Sequence, residues 1–402
     1  MKNIILFFIV LLCMSSCGKK KSSTQSGIID ENGITITIPA NISSDSKLDI
    51  SEFVDSVEYI RLETTPEALV SKVSGVRFCD DLIIVSDKQT QSIYLFDRQG
   101  RYKHKIDKRG RGPGEYIQIS QMMFDRDKQI ILVYDSMQSK MLSYSLAGEL
   151  LREIKDFSER VVIQDIQNLP DGRFLCYSCD FPTGNKEVLK YVDPKFISMW
   201  IVDRDGKFEK NLLQYDKVYP YFLGTEHFQL LCDGKVNFSD KYTSDIYQFY
   251  DDELHGYIRY DIKGTKVTDF EGMSHDHQKG IYHEYFHTGF IEEKGDYIFS
   301  IWSGNETLFY SLFDKKDSSF KIASNLDSGN LGEFLPLWNF ISSNIDNTFV
   351  QKVDQDLIDI YMKYGGVSEL GLLKKELSVD EDELLQLNPI LKFWHVKNNS
   401  SE

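Results

Sequence analysis

Apolar residues along this chain fall in short runs separated by polar, glycine-bearing turns. Ile83-Ile84-Val85 is followed, after a polar gap, by Ile93-Tyr94-Leu95-Phe96, and Ile131-Leu132-Val133 has the same neighbourhood further on. Runs this short suit strands packed on one or both faces better than amphipathic helices. The pattern also repeats. Ile83 to Ile106 aligns without a gap to Ile131 to Ile154 at an offset of 48, with Val85/Val133, Asp87/Asp135 and Gly100/Gly148 identical. Cys79 to Phe96 aligns to Cys232 to Phe249 at an offset of 153, with nine identities in eighteen positions. Weaker copies start at Trp200, Tyr297 and Leu308.

Each unit reads as strand, polar turn, strand, glycine turn, strand. Asp87, Asp135 and Asp240 close one strand and are placed to accept backbone N–H groups in the next turn. Gly100, Gly148 and Gly206 are placed for positive φ. Units of about 40–55 residues holding four strands are propeller blades, which stack because one blade cannot bury both of its faces. The predicted fold is all-β: a six-bladed β-propeller of four-stranded blades. Middle and outer strands are expected near 82–106, 130–154, 172–213, 235–262 and 296–322. The sixth blade needs both ends of the chain. Phe53 to Leu62 is expected to pair with strands at Thr348 to Val353 and Pro389 to Val396 and so close the ring. Two insertions are expected, at Thr183–Ser198 and, with helical spacing, at about 354–387.

The start of the chain reads as an address. Lys2 precedes nine apolar residues, Ile4 to Leu12, which as a helix span about 14 Å against a bilayer core of about 30 Å. A basic start, a short apolar run and small residues make a secretory signal. Met14-Ser15-Ser16-Cys17-Gly18 resembles a lipobox. That resemblance implies a signal peptide over residues 1–16 and lipidation of Cys17. Residues 17–33 then form a flexible tether, and 34–397 the propeller. The expected location is the cell envelope, at the outer membrane facing the periplasm, with the lipid as sole membrane attachment.

Composition narrows the function classes. The chain has 402 residues and a net charge of −16, which argues against a nucleic-acid partner. With 22 Tyr, 26 Phe and only 9 Pro it leans toward β-structure. Cys176 and Cys179 have C-x-x-C spacing, but on a strand they would face opposite sides, so core packing is the expected role.

Val57 to Thr64, Arg109-Gly110-Arg111-Gly112-Pro113-Gly114-Glu115-Tyr116 and Asn388 to Leu391 resemble motifs of a family of six-bladed β-propeller lipoproteins. The Gly-Pro-Gly-Glu segment also resembles NHL-repeat propellers. The resemblance spans roughly residues 50–397. It implies a lipid-anchored propeller outside the cytoplasm and no particular reaction.

Three groups could carry chemistry. Arg109, Arg111, Glu115 and Tyr116 would touch a ligand if their loop stands on a rim, although a loop of this composition also serves simply to cross between blades. They continue a basic island with Arg101, Lys103, His104, Lys105 and Lys108, whose alternation also suits a charged edge strand. The segment His275 to His287 contains His283-Glu284-Tyr285-Phe286-His287, which matches H-E-x-x-H by letters. A zinc site needs those residues on a helix. The expected setting is an inner strand over Tyr282 to Ile291, where His283 and His287 lie about 13 Å apart. Tyr191, Phe196, Trp200, Tyr215, Tyr219, Tyr221 and Phe222 form an aromatic group suited to sugars or to blade packing. The leading expectation is a binding module for an envelope protein or a glycan, without a cofactor. The alternative is a propeller enzyme acting on glycans, or a metal-assisted hydrolase using a divalent ion at His283 and His287.

Overall fold

The structure, a computed structural model, describes residues 23–26, 28–30, 33–158, 163–178, 198–214, 228–240, 245–263, 287–304, 307–327, 340–364 and 367–397. Six antiparallel sheets, each built on four blade strands that are consecutive in all but the last, stand in a ring, so the chain is a six-bladed propeller. From the channel outward, blade one contains Val73–Cys79, Leu82–Asp87, Ser92–Asp97 and Tyr102–Ile106. Blade two contains Gln121–Asp125, Ile130–Asp135, Lys140–Ser145 and Leu150–Ile154. Blade three contains Asp165–Asn168, Phe174–Ser178, Ser198–Val202 and Phe208–Gln214. Blade four contains Phe228–Leu230, Val236–Ser239, Ile246–Tyr250 and Glu253–Ile262. Blade five contains His287–Lys294, Tyr297–Gly304, Thr307–Asp314 and Ser319–Ala323. Blade six takes Phe340–Ile341, Thr348–Val353 and Ile390–Val396 from the end of the chain and Val54–Arg61 from its beginning.

The expected closure is therefore observed. Val54–Arg61 pairs antiparallel with Ile390–Val396, from Ile390 opposite Arg61 to Val396 opposite Val54. The helical insertion is also where the spacing placed it. Helices α1 (Gln355–Tyr364), α2 (Val367–Leu377) and α3 (Glu381–Leu384) occupy the connection between the second and third strands of blade six. Leu357, Ile358, Leu370, Leu373 and Leu384 bury against Val353 and Ile390 of that blade.

The tether differs from expectation. Within residues 17–33, Ser23–Ser26 pairs with the outer strand of blade five, and Ile28–Asp30 forms a hairpin with Gly33–Ile38. Gly33–Ile38 in turn lies parallel to the outer strand of blade four, Ile34 opposite Ile258 through Ile38 opposite Ile262. An outer blade edge offers a row of unpaired N–H and C=O groups. A polar segment can satisfy them through its backbone alone, which a hydrophobic pattern does not register.

Six apolar clusters fill the gaps between neighbouring blades all the way round. Burial on both sheet faces explains why the second and third strands of blade one are buried almost throughout. Full burial of each such aliphatic or aromatic side chain contributes about 1.5–3 kcal/mol. Cys176 and Trp200 lie fully buried in the gap between blades two and three, as core packing requires. The Trp200 indole N–H donates to Ser158 Oγ at 3.0 Å.

The repeated aspartates act as staples. Asp87, fully buried, accepts from the backbone N–H groups of Ser71, Lys72, Gln89 and Thr90 at 2.6–3.2 Å. It thereby ties the chain entering blade one to the turn inside that blade. Asp135 does the same in blade two with Ile117 N and Met137 N at 2.7 and 2.9 Å. Gly100 shows why the other turn needs glycine. Its φ is +78°, and a Cβ would stand 2.0 Å from the carbonyl oxygen of Arg61 on the closing strand. Asp87→Ala orphans several buried donors, so it is expected to cost about 3 kcal/mol of stability, read as a lower urea midpoint at unchanged slope.

Candidate functional site

The antiparallel order gives the ring two unlike ends. One end carries the tight turns between first and second strands and between third and fourth strands, such as residues 80–81 and 98–101. The other, the crossing face, carries the connections between blades and the helices of blade six. A cavity of about 550 Å³ opens along the channel at that face. All six blades line it: Ser74 and Arg77 from blade one, Gln121 and Ser136 from two, Gln164 before three, Gln229 and Asn237 from four, Phe290 from five, Phe340 and Lys352 from six. That volume lies in the range of small-molecule sites.

A belt of polar contacts holds the wall in place. Gln121 Nε2 donates to Asp165 Oδ1 at 2.5 Å, and Asp165 Oδ2 accepts from Phe228 N at 3.0 Å, joining blades two, three and four. Gln229 exchanges two bonds with the Glu293 backbone at 2.8 and 2.9 Å, joining four to five. Ser343 N donates to Glu292 Oε1 at 2.9 Å, and Lys294 Nζ donates to Ser343 O at 2.8 Å, joining five to six. Asn344 exchanges bonds with the Phe78 backbone at 2.7 and 2.8 Å, joining six to one. Gln91 Oε1 accepts from Ile119 N at 2.5 Å, joining one to two.

The described lining is basic. Lys72, Arg77, Lys88 and Lys352 border the cavity, and among the described residues no Asp or Glu does. Lys72 and Lys88 are adjacent, since Lys88 N donates to Lys72 O at 2.8 Å. Lys352 Nζ reaches Val73 O at 3.2 Å and Asp354 Oδ2 at 3.1 Å. No motif in the sequence marks this group. Its members lie up to 280 positions apart, and only ring closure brings Lys352 beside Lys72.

The expected rim residues are elsewhere. Arg109 and Arg111 are exposed on the crossing from blade one to blade two, outside the cavity lining. Tyr116 is corrected from a ligand contact to a core residue. It is fully buried, and it packs edge-on against Tyr144 at 6.3 Å. Burial pushes its phenol pKa up. The Glu115 carboxylate folds back on its own loop, where Oε2 accepts from Gly112 N at 2.8 Å. A Cβ on Gly110 would stand 1.9 Å from that oxygen, so the glycines here serve the crossing. The basic island is a charged edge strand: Arg101 and Lys103 pair with Asp97 at 2.7 and 3.0 Å. Burial works against the Asp97 charge, but the Arg101 backbone N–H and the Lys103 and Arg101 side chains outweigh it and hold the carboxyl well below its ordinary pKa.

His287 opens the inner strand of blade five. Cys17, His275, His277, His283, Tyr191 and the aromatics at 215–222 lie outside the described residues, as does the Thr183–Ser198 insertion up to residue 197. Among the described residues no group of three His, Cys, Asp or Glu is placed to hold a metal ion, and no helix is long and apolar enough to cross a membrane.

A family profile described as "Domain of unknown function (DUF4934)" matches residues 33–394. The chain belongs to that family. This DUF4934 propeller is similar in structure to a protein of Bacteroides fragilis described as a candidate exported protein. The TM-score is 0.68 at 19% identity, covering 90% of this chain and 99% of that one. A DUF4221-family member from Bacteroides vulgatus has a TM-score of 0.49 at 12% identity, covering 86% and 97%. At these identities the likeness concerns the fold. No curated protein matches the DUF4934 chain.

Tyr116→Ala empties core volume and is expected to cost about 4 kcal/mol. Arg109→Gln and Arg111→Gln, on the open surface, are expected to stay within about 0.5 kcal/mol. Chemical denaturation of the three variants separates core from surface.

Proposed function

We propose that this DUF4934 propeller is a binding module of the cell envelope that takes a small polar ligand at the crossing face. The supporting observation is the cavity of about 550 Å³ to which all six blades contribute. Rigid strands and a closed polar belt position its wall, which favours recognition by preformed groups over induced closure. The lining of hydroxyls and amides, with the half-buried Phe290 ring stacked on Phe340 at 5.3 Å, suits a glycan fragment or another hydroxyl-rich molecule. Arg109 and Arg111, on the same face, are suited to the outer part of a longer ligand or to an envelope protein. The anchor belongs to this proposal as well: a lipid on Cys17 holds the ring at the outer membrane, facing the periplasm.

Two measurements test these points. A Cys17→Ala variant expressed with its signal is expected to lose acyl labelling and to move from the membrane to the soluble fraction; retention in the membrane would refute the lipid anchor. A Ser120→Trp variant places a large ring at the lip of the cavity, where Ser120 is exposed. It is expected to keep its fold by circular dichroism and to lose saccharide-induced thermal stabilisation; an unchanged shift would move the site off the channel.

A further inference from the structure

The charge of the cavity runs against that of the whole protein. The chain carries −16 overall, yet among the described residues the cavity lining has four basic side chains and no acidic one. Nearby carboxylates are already engaged behind the wall. Asp87 takes four backbone N–H groups, Asp354 pairs with Lys352, and Glu293 pairs with Lys315 at 2.6 Å. Among the described residues, Lys72, Lys88 and Arg77 have no carboxylate within ion-pair distance.

Arg77 is the informative member. It lies half-buried on the inner strand of blade one. Its Nη1 donates to Val76 O at 2.9 Å and to Ser342 O of blade six at 3.0 Å. Those two carbonyls use both hydrogens of Nη1 and fix the guanidinium plane. Nε–H and the two Nη2 hydrogens meet no acceptor among the described residues. A guanidinium has five donors in a planar fork, and that fork matches the two oxygens of a carboxylate, sulfate or phosphate. A guanidinium held by neutral carbonyls, with donors to spare beside a cavity, is an unfilled half of such a pair. Lys72 and Lys88 add positive potential at the mouth, where an anion would enter.

We infer that the cavity binds an oxyanion-bearing, hydroxyl-rich small molecule, with its anionic group on Arg77 and its hydroxyls on the Ser and Asn/Gln lining. This rests on the proposal that the channel cavity is the binding site, and deepens it by naming the ligand chemistry. Free carboxylates and sulfate monoesters share that chemistry, so both are tested on one sugar body.

The experiment compares D-glucose, D-glucuronate and glucose 6-sulfate on the full mature chain by saturation-transfer NMR titration. The expected result is binding of one or both anions and not of glucose, weakened severalfold when salt rises from about 50 to about 500 mM. Preference for glucuronate or for the sulfate identifies the oxyanion. Arg77→Gln is expected to weaken anion binding about tenfold, with Arg77→Lys restoring part of it. Because Arg77 also ties blade one to blade six, a second variant guards against misfolding. Lys72→Gln combined with Lys88→Gln alters two exposed side chains, and is expected to weaken binding about threefold with an unchanged unfolding midpoint. Equal binding of all three sugars, insensitive to salt and to Arg77→Gln, would overturn the anion inference, as would binding of none. Anion binding that survives Ser120→Trp would instead overturn the cavity as the site.

Discussion

The pairing of Val54–Arg61 with Ile390–Val396 is the interaction on which the rest of the molecule depends. A ring of blades is stable only when every blade has a neighbour on each face. Without the returning strand, blade six would lose its outer edge, and the apolar layers on both of its sides would open to water. Those layers include Phe53 and Val54 toward blade five, and Leu62 with Leu391 and Phe393 toward blade one. Glycine at position 100 belongs to the same constraint, because its turn lies against the last carbonyl of the closing strand.

Closure also creates the cavity. Its wall is assembled from all six blades, cross-linked by side chains that reach from one blade to the backbone of the next. In that belt most links join a side chain to a main-chain group, adding directional contacts to the apolar layers that fill the gaps between blades. The carboxylates used this way lose their reach into the channel, while Arg77 and the two mouth lysines keep theirs. A locally basic cavity within an acidic protein follows from which charges the scaffold consumes.

Much of this architecture is legible along the chain because blades are local. Strands of one blade are consecutive, and their turns need particular residues: the buried aspartates at 87 and 135 and the positive-φ glycines at 100, 148 and 206. Those residues recur at blade spacing and align by eye. The same local logic misleads for function. Arg109, Arg111, Glu115 and Tyr116 stand out in sequence because the loop is unusual, yet two of the four serve the crossing itself. The edge strands at Ser23–Ser26 and Ile28–Asp30 are too short to show a hydrophobic period, and their place is given by backbone pairing.

By itself, the sequence determined the blade count, the blade strands and the helical insertion from patterns within a few dozen residues, and the closing strand from the strand segments left over at the two ends of the chain. The tertiary structure alone decided which charges meet. Lys72, Arg77 and Lys88 share blade one, but Lys352 joins them only when the last blade closes against the first. Whether each is engaged depends on side-chain hydrogen bonds between blades, such as Arg77 Nη1 to Ser342 O, and no local spacing encodes those contacts.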